Sequence, residues 1–270
     1  LPISWADGVT VSYLDALFTA TTSTCVTGLV TLPTVTTWSL FGHIVILILI
    51  QVGGLGVITT MSALMILLNK RMGIGDRLLL QDSFNLNTMS GLVQFVRNVL
   101  LGTLLIEGTG ALLYMTVFVP EFGLKGVWIS FFNSVSAFCN AGIDIIAEYS
   151  LCRYMTNPMI NLVTSLLIIL GGIGYIVWWD IIRVAGKGKA LGIKCLKQLT
   201  LHSKIALSAT FILIFIGAAA IFAFEYDNPL TVGEHNLFQK VQFAFFQSVT
   251  TRTAGFATVP QENLASGSVF

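Results

Sequence analysis

Thr24-Cys25-Val26-Thr27-Gly28-Leu29 is the first of three related stretches around which the chain is built. The second is Phe138-Cys139-Asn140-Ala141-Gly142-Ile143, and the third, one residue shorter in its approach to the glycine, is Arg252-Thr253-Ala254-Gly255-Phe256. A segment rich in Phe, Ser and Thr precedes each of them. A repeat of about a hundred residues is too long for a solenoid unit, so the spacing predicts a duplicated membrane module.

The composition indicates a membrane protein. Hydrophobic residues make up 55% of the 270 residues and charged residues 10%, which is more apolar than a soluble core of this length can bury. The four cysteines have neither the regular pairing of a disulfide framework nor metal-ligand spacing. Because the sequence opens on Leu1-Pro2 and closes on Val269-Phe270, where an apolar run starts, we expect a fragment of a longer chain.

Short and long apolar segments alternate along the chain. Each glycine stretch follows a segment that would form a short helix, at 12–23, 126–138 and 237–250. About 12 residues at 1.5 Å each reach only about 18 Å, which is half a bilayer, so we expect re-entrant half-helices. The membrane-spanning segments are predicted at 38–68, 99–119, 158–182 and 205–224. We expect the first to be long or kinked, the second to end at Pro120 and the third to open at Pro158.

Basic residues orient the chain in the membrane. Segments 69–98 and 183–204 hold ten of the fourteen Lys and Arg residues, and both lie opposite the half-helices. The positive-inside rule makes them cytoplasmic, so the glycine loops enter from outside. The predicted organisation is a first pore module (1–68), a cytoplasmic loop (69–98), a second module (99–182), a basic cytoplasmic loop (183–204) and a third module (205–270).

The repeated half-helix and glycine loop have a recognisable chemistry. A short helix that points its C-terminal end at an extended loop aims carbonyl dipoles at one place, which favours a dehydrated cation. Glycine permits backbone angles that other residues reach only at a cost. One such loop could be a simple turn, but three at matched spacing favour a quasi-fourfold pore in which Gly28, Gly142 and Gly255 converge on one axis.

The three loops, together with the run Gln51-Val52-Gly53-Gly54-Leu55-Gly56, resemble the filter regions of the Trk/Ktr/HKT potassium transporters, closest to the bacterial Trk and Ktr membrane subunits. The resemblance covers essentially the whole chain. It implies an all-α membrane fold in which four repeats of helix, pore helix, filter loop and helix surround one potassium pathway. By this resemblance the first module lacks its first helix, the third lacks its second helix with a gate beneath the filter, and the fourth module is missing.

The resemblance also implies partners and a location. The family's chain forms a homodimer in the bacterial or archaeal plasma membrane, crosses the lipid several times and sits on a cytosolic nucleotide-binding regulatory ring of the RCK type. K⁺ would be the transported ion, with no covalently bound cofactor, no other metal and no nucleic acid. Glycine at position 28 is linked by resemblance to potassium preference, and serine there to sodium permeation.

The resemblance assigns the ion-binding groups residue by residue. Backbone carbonyls would bind K⁺ at nine positions, which are Val26, Thr27, Gly28, Asn140, Ala141, Gly142, Thr253, Ala254 and Gly255. Four further residues would support the filter, namely Cys25, Cys139, Arg252 and Glu107.

Each supporting residue has an alternative interpretation. Cys25 and Cys139 occupy equivalent places and could form a metal pair, but we favour small packing residues behind the filter. Glu107 is the one carboxylate deep inside a span, and could act on the ion or brace the pore helix through hydrogen bonds. We favour the brace, because buried carboxylates persist mainly when they are hydrogen-bonded. Arg252 could repel cations at the mouth or pin its loop, and we favour pinning.

The glycine clusters 53–56 and 171–174 resemble phosphate-binding loops only superficially, because both lie at membrane depth without a preceding strand. Close helix packing or a kink explains them better. Potassium uptake through a carbonyl filter is therefore the predicted function, and a sodium- or proton-coupled carrier with broken helices is the alternative. An intramembrane enzyme would need a nucleophile with a base or two facing carboxylates, so no enzyme is predicted.

Overall fold

The computed structural model describes residues 2–68, 73, 75, 78, 92–147, 149–187 and 198–269. Regular structure in these residues is helical, and an isolated antiparallel bridge joins Trp5 to Trp38. The α-helices are α1 (Tyr13–Cys25), α2 (Thr34–Thr37), α3 (Leu40–Leu55), α4 (Val57–Leu67), α5 (Leu92–Phe122), α6 (Leu124–Phe138), α7 (Pro158–Ile173), α8 (Tyr175–Lys187), α9 (Leu201–Glu225), α10 (Leu237–Thr250) and α11 (Ser266–Val269). Short 3₁₀ helices cover Pro2–Ser4, Cys152–Tyr154 and Gln261–Asn263. The predicted all-α class is confirmed.

Among the described residues, two helices, α5 and α9, are long and apolar enough to cross a membrane. The number rises to four if each of two bent pairs is one span: α3 with α4, bent by 107°, and α7 with α8, bent by 97°. The bends lie at Gly56 and Gly174, which have φ of +81° and +90° with ψ near 145°. Only glycine adopts this region readily, so each bend is encoded by its glycine.

The segment 158–182 is helical on both sides of a sharp turn at Gly174 between α7 and α8, so it counts as one span only as a bent pair. One expectation about the spans needs correction. Pro120 does not end α5, which continues through it to Phe122. A proline removes one backbone hydrogen bond without reversing the chain. The helix stops at Gly123, whose positive φ of 61° starts the turn into α6.

The three half-helices form as predicted, with 13, 15 and 14 residues in α1, α6 and α10. These lengths correspond to about 20 Å, well short of a bilayer core of about 30 Å. Ser12 caps α1 by accepting the Asp15 N–H at 3.1 Å, and Asn236 and Gln239 form a capping box at the start of α10. Each half-helix packs along one longer helix: α1 on α3, α6 on α5 and α10 on α9.

The same serine contact holds the second and third half-helices. Ser134 Oγ on α6 donates to the Glu107 carbonyl oxygen at 2.6 Å, and Ser248 Oγ on α10 donates to the Ile214 carbonyl oxygen at 2.8 Å. The outer helices, α5 and α9, each carry a glycine where these serines approach. A Cβ on Gly110 or Gly217 would lie 2.5 Å from the serine oxygen, so a side chain there would prevent the contact. The two modules therefore pack their half-helices in one way.

Most of the basic residues that oriented the chain lie outside the described residues, including Lys70, Arg71, Arg77, Lys189 and Lys194. At the edges of the two predicted cytoplasmic segments, residues 92–98, 183–187 and 201–204 belong to helices α5, α8 and α9. The predicted module boundaries and the cytoplasmic assignment stay predictions.

Candidate functional site

The three loop glycines meet at one place. A Cβ built on Gly28 would lie 3.4 Å from the Gly255 Cα and 3.6 Å from the Gly142 Cα, and one built on Gly255 would lie 3.3 Å from the Cα atoms of both partners. Any side chain at these positions would therefore touch the backbone of the neighbouring loops, and at Gly255 the contact would be tighter than an ordinary van der Waals contact. The expected convergence of glycines from three distant parts of the chain is confirmed.

The loops share one backbone pattern. The residue two places before each glycine has a positive φ, with 55° at Val26, 57° at Asn140 and 68° at Thr253, and each glycine also has a positive φ. A β-branched residue is a genuine outlier in this region, and such strain persists only where the surroundings impose it. The pattern was not foreseen from the sequence, where Asn140 alone is a residue type that tolerates it.

Each half-helix holds the loop that follows it through one backbone bond. The residue before the glycine donates its N–H to the carbonyl of a hydroxyl-bearing residue in the last turn of the half-helix. The pairs are Thr27 to Thr22 at 3.1 Å, Ala141 to Ser136 at 2.8 Å and Ala254 to Thr250 at 3.0 Å. The three loops therefore leave their helices in the same direction.

The hydroxyl groups add a second bond beyond the glycine. Ser136 Oγ donates to the Ile143 carbonyl and accepts the Ile143 N–H at 3.2 Å, and Thr250 Oγ1 donates to the Phe256 carbonyl at 2.7 Å. In the first module the Thr22 hydroxyl bonds to the Thr27 hydroxyl instead, at 2.5 Å. Loops two and three are thus braced on both sides of the glycine.

Three of the nine carbonyls assigned to the ion lie beside a neighbouring glycine, and the Gly28 carbonyl oxygen lies 3.8 Å from a Cβ built on Gly255. A Cβ on Gly28 would lie 3.0 Å from the Ala141 oxygen, and one on Gly142 would overlap the Ala254 oxygen. Ala141 and Ala254 are fully buried, so their methyl groups pack into protein. The meeting point of the loops is lined by backbone, and side chains contribute packing.

Glycines of the bent helices press against the ends of the half-helices. A Cβ on Gly53 would overlap the Thr24 carbonyl oxygen, and one on Gly171 would overlap the Phe138 carbonyl oxygen. Gly54 packs on the Cys139 side chain in the same way. The clusters 53–56 and 171–174 therefore show both predicted features. Their first glycines allow close helix packing, and their last glycines, Gly56 and Gly174, form the bends.

Glu107 is 2% exposed and has a polar partner on another module. Gln51 Nε2 on α3 donates to Glu107 Oε1 at 3.1 Å, and the Cys139 thiol lies 4.0 Å from Gln51 Oε1. This is the arrangement that a brace requires, since the carboxylate links α5 to α3 and, through Gln51, to the second loop.

Arg252 and the cysteines occupy equivalent positions, three residues before each glycine, but have different environments. Arg252 NH2 donates to Thr210 Oγ1 on α9 at 3.2 Å, so it reaches the outer helix and not a loop carbonyl. Cys139 is buried, as expected of a packing residue, whereas Cys25 is exposed. Cys139 packs on the bent helix of the preceding module, and among the described residues no helix takes that place beside Cys25.

In the same residues no three His, Cys, Asp or Glu side chains group as metal ligands.

The segment after the second loop carries polar groups that the sequence did not single out. Asp144, two residues beyond Gly142, is 8% exposed and accepts the Ile146 N–H at 3.3 Å. Burial raises the pKa of Asp144 to about 6, against hydrogen bonds from Ser150 and the backbone of Ile146 and Ala147 that lower it. Ser150 has a φ of 47°, which marks a strained turn at the outer end of the site.

Comparisons with known proteins identify the family of the chain. A sequence model of the family TrkH, described as cation transport protein, matches residues 3–270. The chain is similar to potassium/sodium uptake protein NtpJ of Enterococcus hirae, with 39% identity over 260 residues that are 96% of this chain and 55% of that protein. It is also similar to Ktr system potassium uptake proteins B and D of Bacillus subtilis, with 36% and 30% identity over all of this chain and 58% and 59% of theirs. The chain thus spans less than two thirds of the length of these relatives.

Proposed function

The chain belongs to the TrkH family of cation transport proteins, and from this premise we propose that it forms part of the ion pathway of a potassium uptake system. The observation that carries the proposal is the meeting of three glycine loops with one backbone pattern. Carbonyl oxygens held in a fixed arrangement replace the hydration shell of a cation, and no side-chain charge is needed.

The proposed ion-binding groups are the carbonyls assigned by resemblance. They belong to Val26, Thr27, Gly28, Asn140, Ala141, Gly142, Thr253, Ala254 and Gly255. The shared positive φ values and the bonds from Thr22, Ser136 and Thr250 support equal roles for the three loops. Cys139, Glu107 and Arg252 support the loops from behind without touching the ion, and exposed Cys25 takes this role if a further helix covers it.

An ion requires more room between the loops than lies beside Gly28, Gly142 and Gly255, where even a Cβ atom would touch a neighbouring glycine. We propose that a fourth loop of the intact protein completes the ring and holds them open, since the relatives are much longer than this chain. A filter open on one side would leave backbone polar groups against lipid, where each costs several kcal/mol.

The proposed setting is the plasma membrane, with segments 69–98 and 183–204 on the cytoplasmic side. Their clustered Lys and Arg would suit docking of a cytosolic nucleotide-binding ring, and a homodimer is the proposed oligomer. Both assignments rest on the family resemblance and on the positive charge of these segments.

A sodium- or proton-coupled carrier is the second candidate. Two sharply bent helices and the hydrogen-bonded pair of half-buried Gln51 and buried Glu107 favour it, because carriers place broken helices and paired polar groups near the membrane centre. Uptake into vesicles under a potassium gradient separates the two functions. A carrier needs the coupling ion, whereas a filter conducts under the gradient alone.

The proposed function is tested by rubidium uptake through the intact protein in a host that lacks its own potassium uptake. We expect growth at low potassium, saturable rubidium uptake and preference for K⁺ over Na⁺. Gly28→Ser should lower that preference, because the filter glycine has a φ of +76° and the added Cβ would lie 3.0 Å from the Ala141 carbonyl. Protein that reaches the membrane and moves neither ion would overturn the proposal.

A further inference from the structure

The chain beyond the second filter loop returns to the third. Leu151 N–H donates to the Ala257 carbonyl at 2.9 Å, and Leu151 is 1% exposed. The Cys152 thiol lies 3.7 Å from the same carbonyl oxygen. Ala257 is two residues past Gly255, so this contact fixes the segment that leaves the third loop.

One hydroxyl joins the two loops directly. Ser150 Oγ accepts the Ala257 N–H at 3.3 Å, and its hydroxyl lies close enough to the Asp144 carboxyl group to lower the pKa of that group. Asp144 is two residues past Gly142, as Ala257 is two residues past Gly255. The Ser150 hydroxyl therefore bridges equivalent positions of loops two and three, just beyond their glycines.

The bridge is built into the fold at a cost. Ser150 holds a φ of 47°, which a residue with a side chain adopts only when its surroundings impose it. In the first loop, the position that corresponds to Asp144 and Ala257 is Val30, two residues past Gly28, and Val30 is 50% exposed. The link between loops two and three is thus a specific feature of one side of the site.

We propose that Ser150 is a positioning residue that fixes the spacing of the second and third filter loops and so sets ion affinity and selectivity. The proposal rests on the proposed function. Carbonyl selectivity depends on the number and placement of the oxygens around the ion. Loss of the Ser150 hydroxyl removes one hydrogen bond to Ala257 and leaves the Leu151 bond, so the second and third loops are held less firmly relative to each other and the placement of their carbonyls is less exact.

The test compares Ser150→Ala and Ser150→Gly with wild type in the intact protein, by rubidium uptake and its inhibition by Na⁺. The glycine variant removes the hydroxyl and also relieves the positive φ, so it separates the bridge from backbone strain. Ser208→Ala is the matched control, because the Ser208 hydroxyl bonds only to carbonyls of its own helix α9.

Loss of one hydrogen bond should raise KM for K⁺ by about two- to tenfold and weaken discrimination against Na⁺ by a similar factor. The maximal rate of rubidium uptake, divided by the amount of the variant in the membrane, should change by less than about twofold in both variants, since the pathway itself remains. Ser208→Ala should match wild type.

The proposal is overturned if both Ser150 variants match Ser208→Ala in KM and selectivity. It is also overturned if they reduce only the amount of protein in the membrane, which is a purely structural effect. If Ser150→Ala fails to accumulate, Ser150→Gly decides alone. Absence of transport by the wild type refutes the proposed function and not the bridge.

Discussion

The junction between modules one and two and the junction between modules two and three have grooves of similar volume but different chemistry. A groove of about 390 Å³ lies where α3 meets α5, and one of about 370 Å³ lies where α7 meets α9. Gln51 lines the first groove five residues before the bend at Gly56, and Ile169 lines the second five residues before Gly174. Equivalent places thus hold an amide and an isoleucine.

The outer helices differ in the same way. Glu107 and Ile214 both accept a pore-helix serine through their carbonyls, yet one side chain is a carboxylate and the other is aliphatic. The loop is tied to its surroundings at both junctions, by Cys139 beside Gln51 at the first and by Arg252 on Thr210 at the second. The comparison indicates that backbone contacts at glycines and serines carry the repeated scaffold, whereas the polar anchor is free to differ.

The largest effect should come from Gly53 and Gly171, which each pack on the half-helix of their own module beside a junction. Gly53→Ala and Gly171→Ala each drive a methyl group into a half-helix carbonyl, so we expect a loss of about 3 kcal/mol or more and little folded protein. Thermal unfolding of the purified intact protein, followed by size-exclusion chromatography, measures it. Equal stability of either variant and wild type would show that the scaffold contact is not required.

The second glycine of each cluster, Gly54 or Gly172, should differ between the junctions in how much stability an alanine costs. Gly54→Ala would press on Cys139 and cost about 2 kcal/mol, whereas a Cβ on Gly172 meets only the Asn140 side-chain amide at 3.4 Å. Gly172→Ala should therefore be neutral or slightly stabilising, since alanine favours helix. The same unfolding measurement decides, and equal losses in both variants would contradict the comparison.

Exchange of the polar pair tests whether the junctions are interchangeable. Glu107→Ile alone leaves the Gln51 amide without its acceptor and should cost about 1–3 kcal/mol. Gln51→Ile combined with Glu107→Ile copies the second junction and should recover most of that loss, because an apolar pair leaves no polar group unsatisfied. Ile214→Leu serves as the control at the second junction. A double variant as unstable as the sum of its single variants would refute the prediction.

The smallest effect should come from the Arg252 anchor. Arg252→Ala removes its bond to Thr210, and because the side chain is half-buried we expect a loss of about 1 kcal/mol. Thr210→Val removes the same bond and should add nothing in the Arg252→Ala background. A double-mutant cycle on the free energy of unfolding measures the coupling between the two residues. Fully additive losses would show that Arg252 does not stabilise the protein through its bond to Thr210.

The sequence by itself determined the helices and their repeat. Apolar runs predicted α5 and α9, and short segments of about 12 residues rich in Phe, Ser and Thr predicted the half-helices, because these signals are local. Matched glycine spacing also predicted that the loops meet. The predicted end of α5 at Pro120 was wrong. A proline near a helix end is compatible with two further helical residues, and the turn depends on Gly123.

Only the tertiary structure decided which groups face one another. The partnership of Gln51 with Glu107 and that of Ser150 with Ala257 join residues separated by 56 and 107 positions, and no local pattern encodes such pairs. The positive φ at Val26 and Thr253 runs against the preference of both residue types, so it follows from contacts imposed by neighbouring modules. Apolar periodicity and glycine spacing are properties of consecutive residues, whereas the anchors and the bridge exist only once distant segments are packed together.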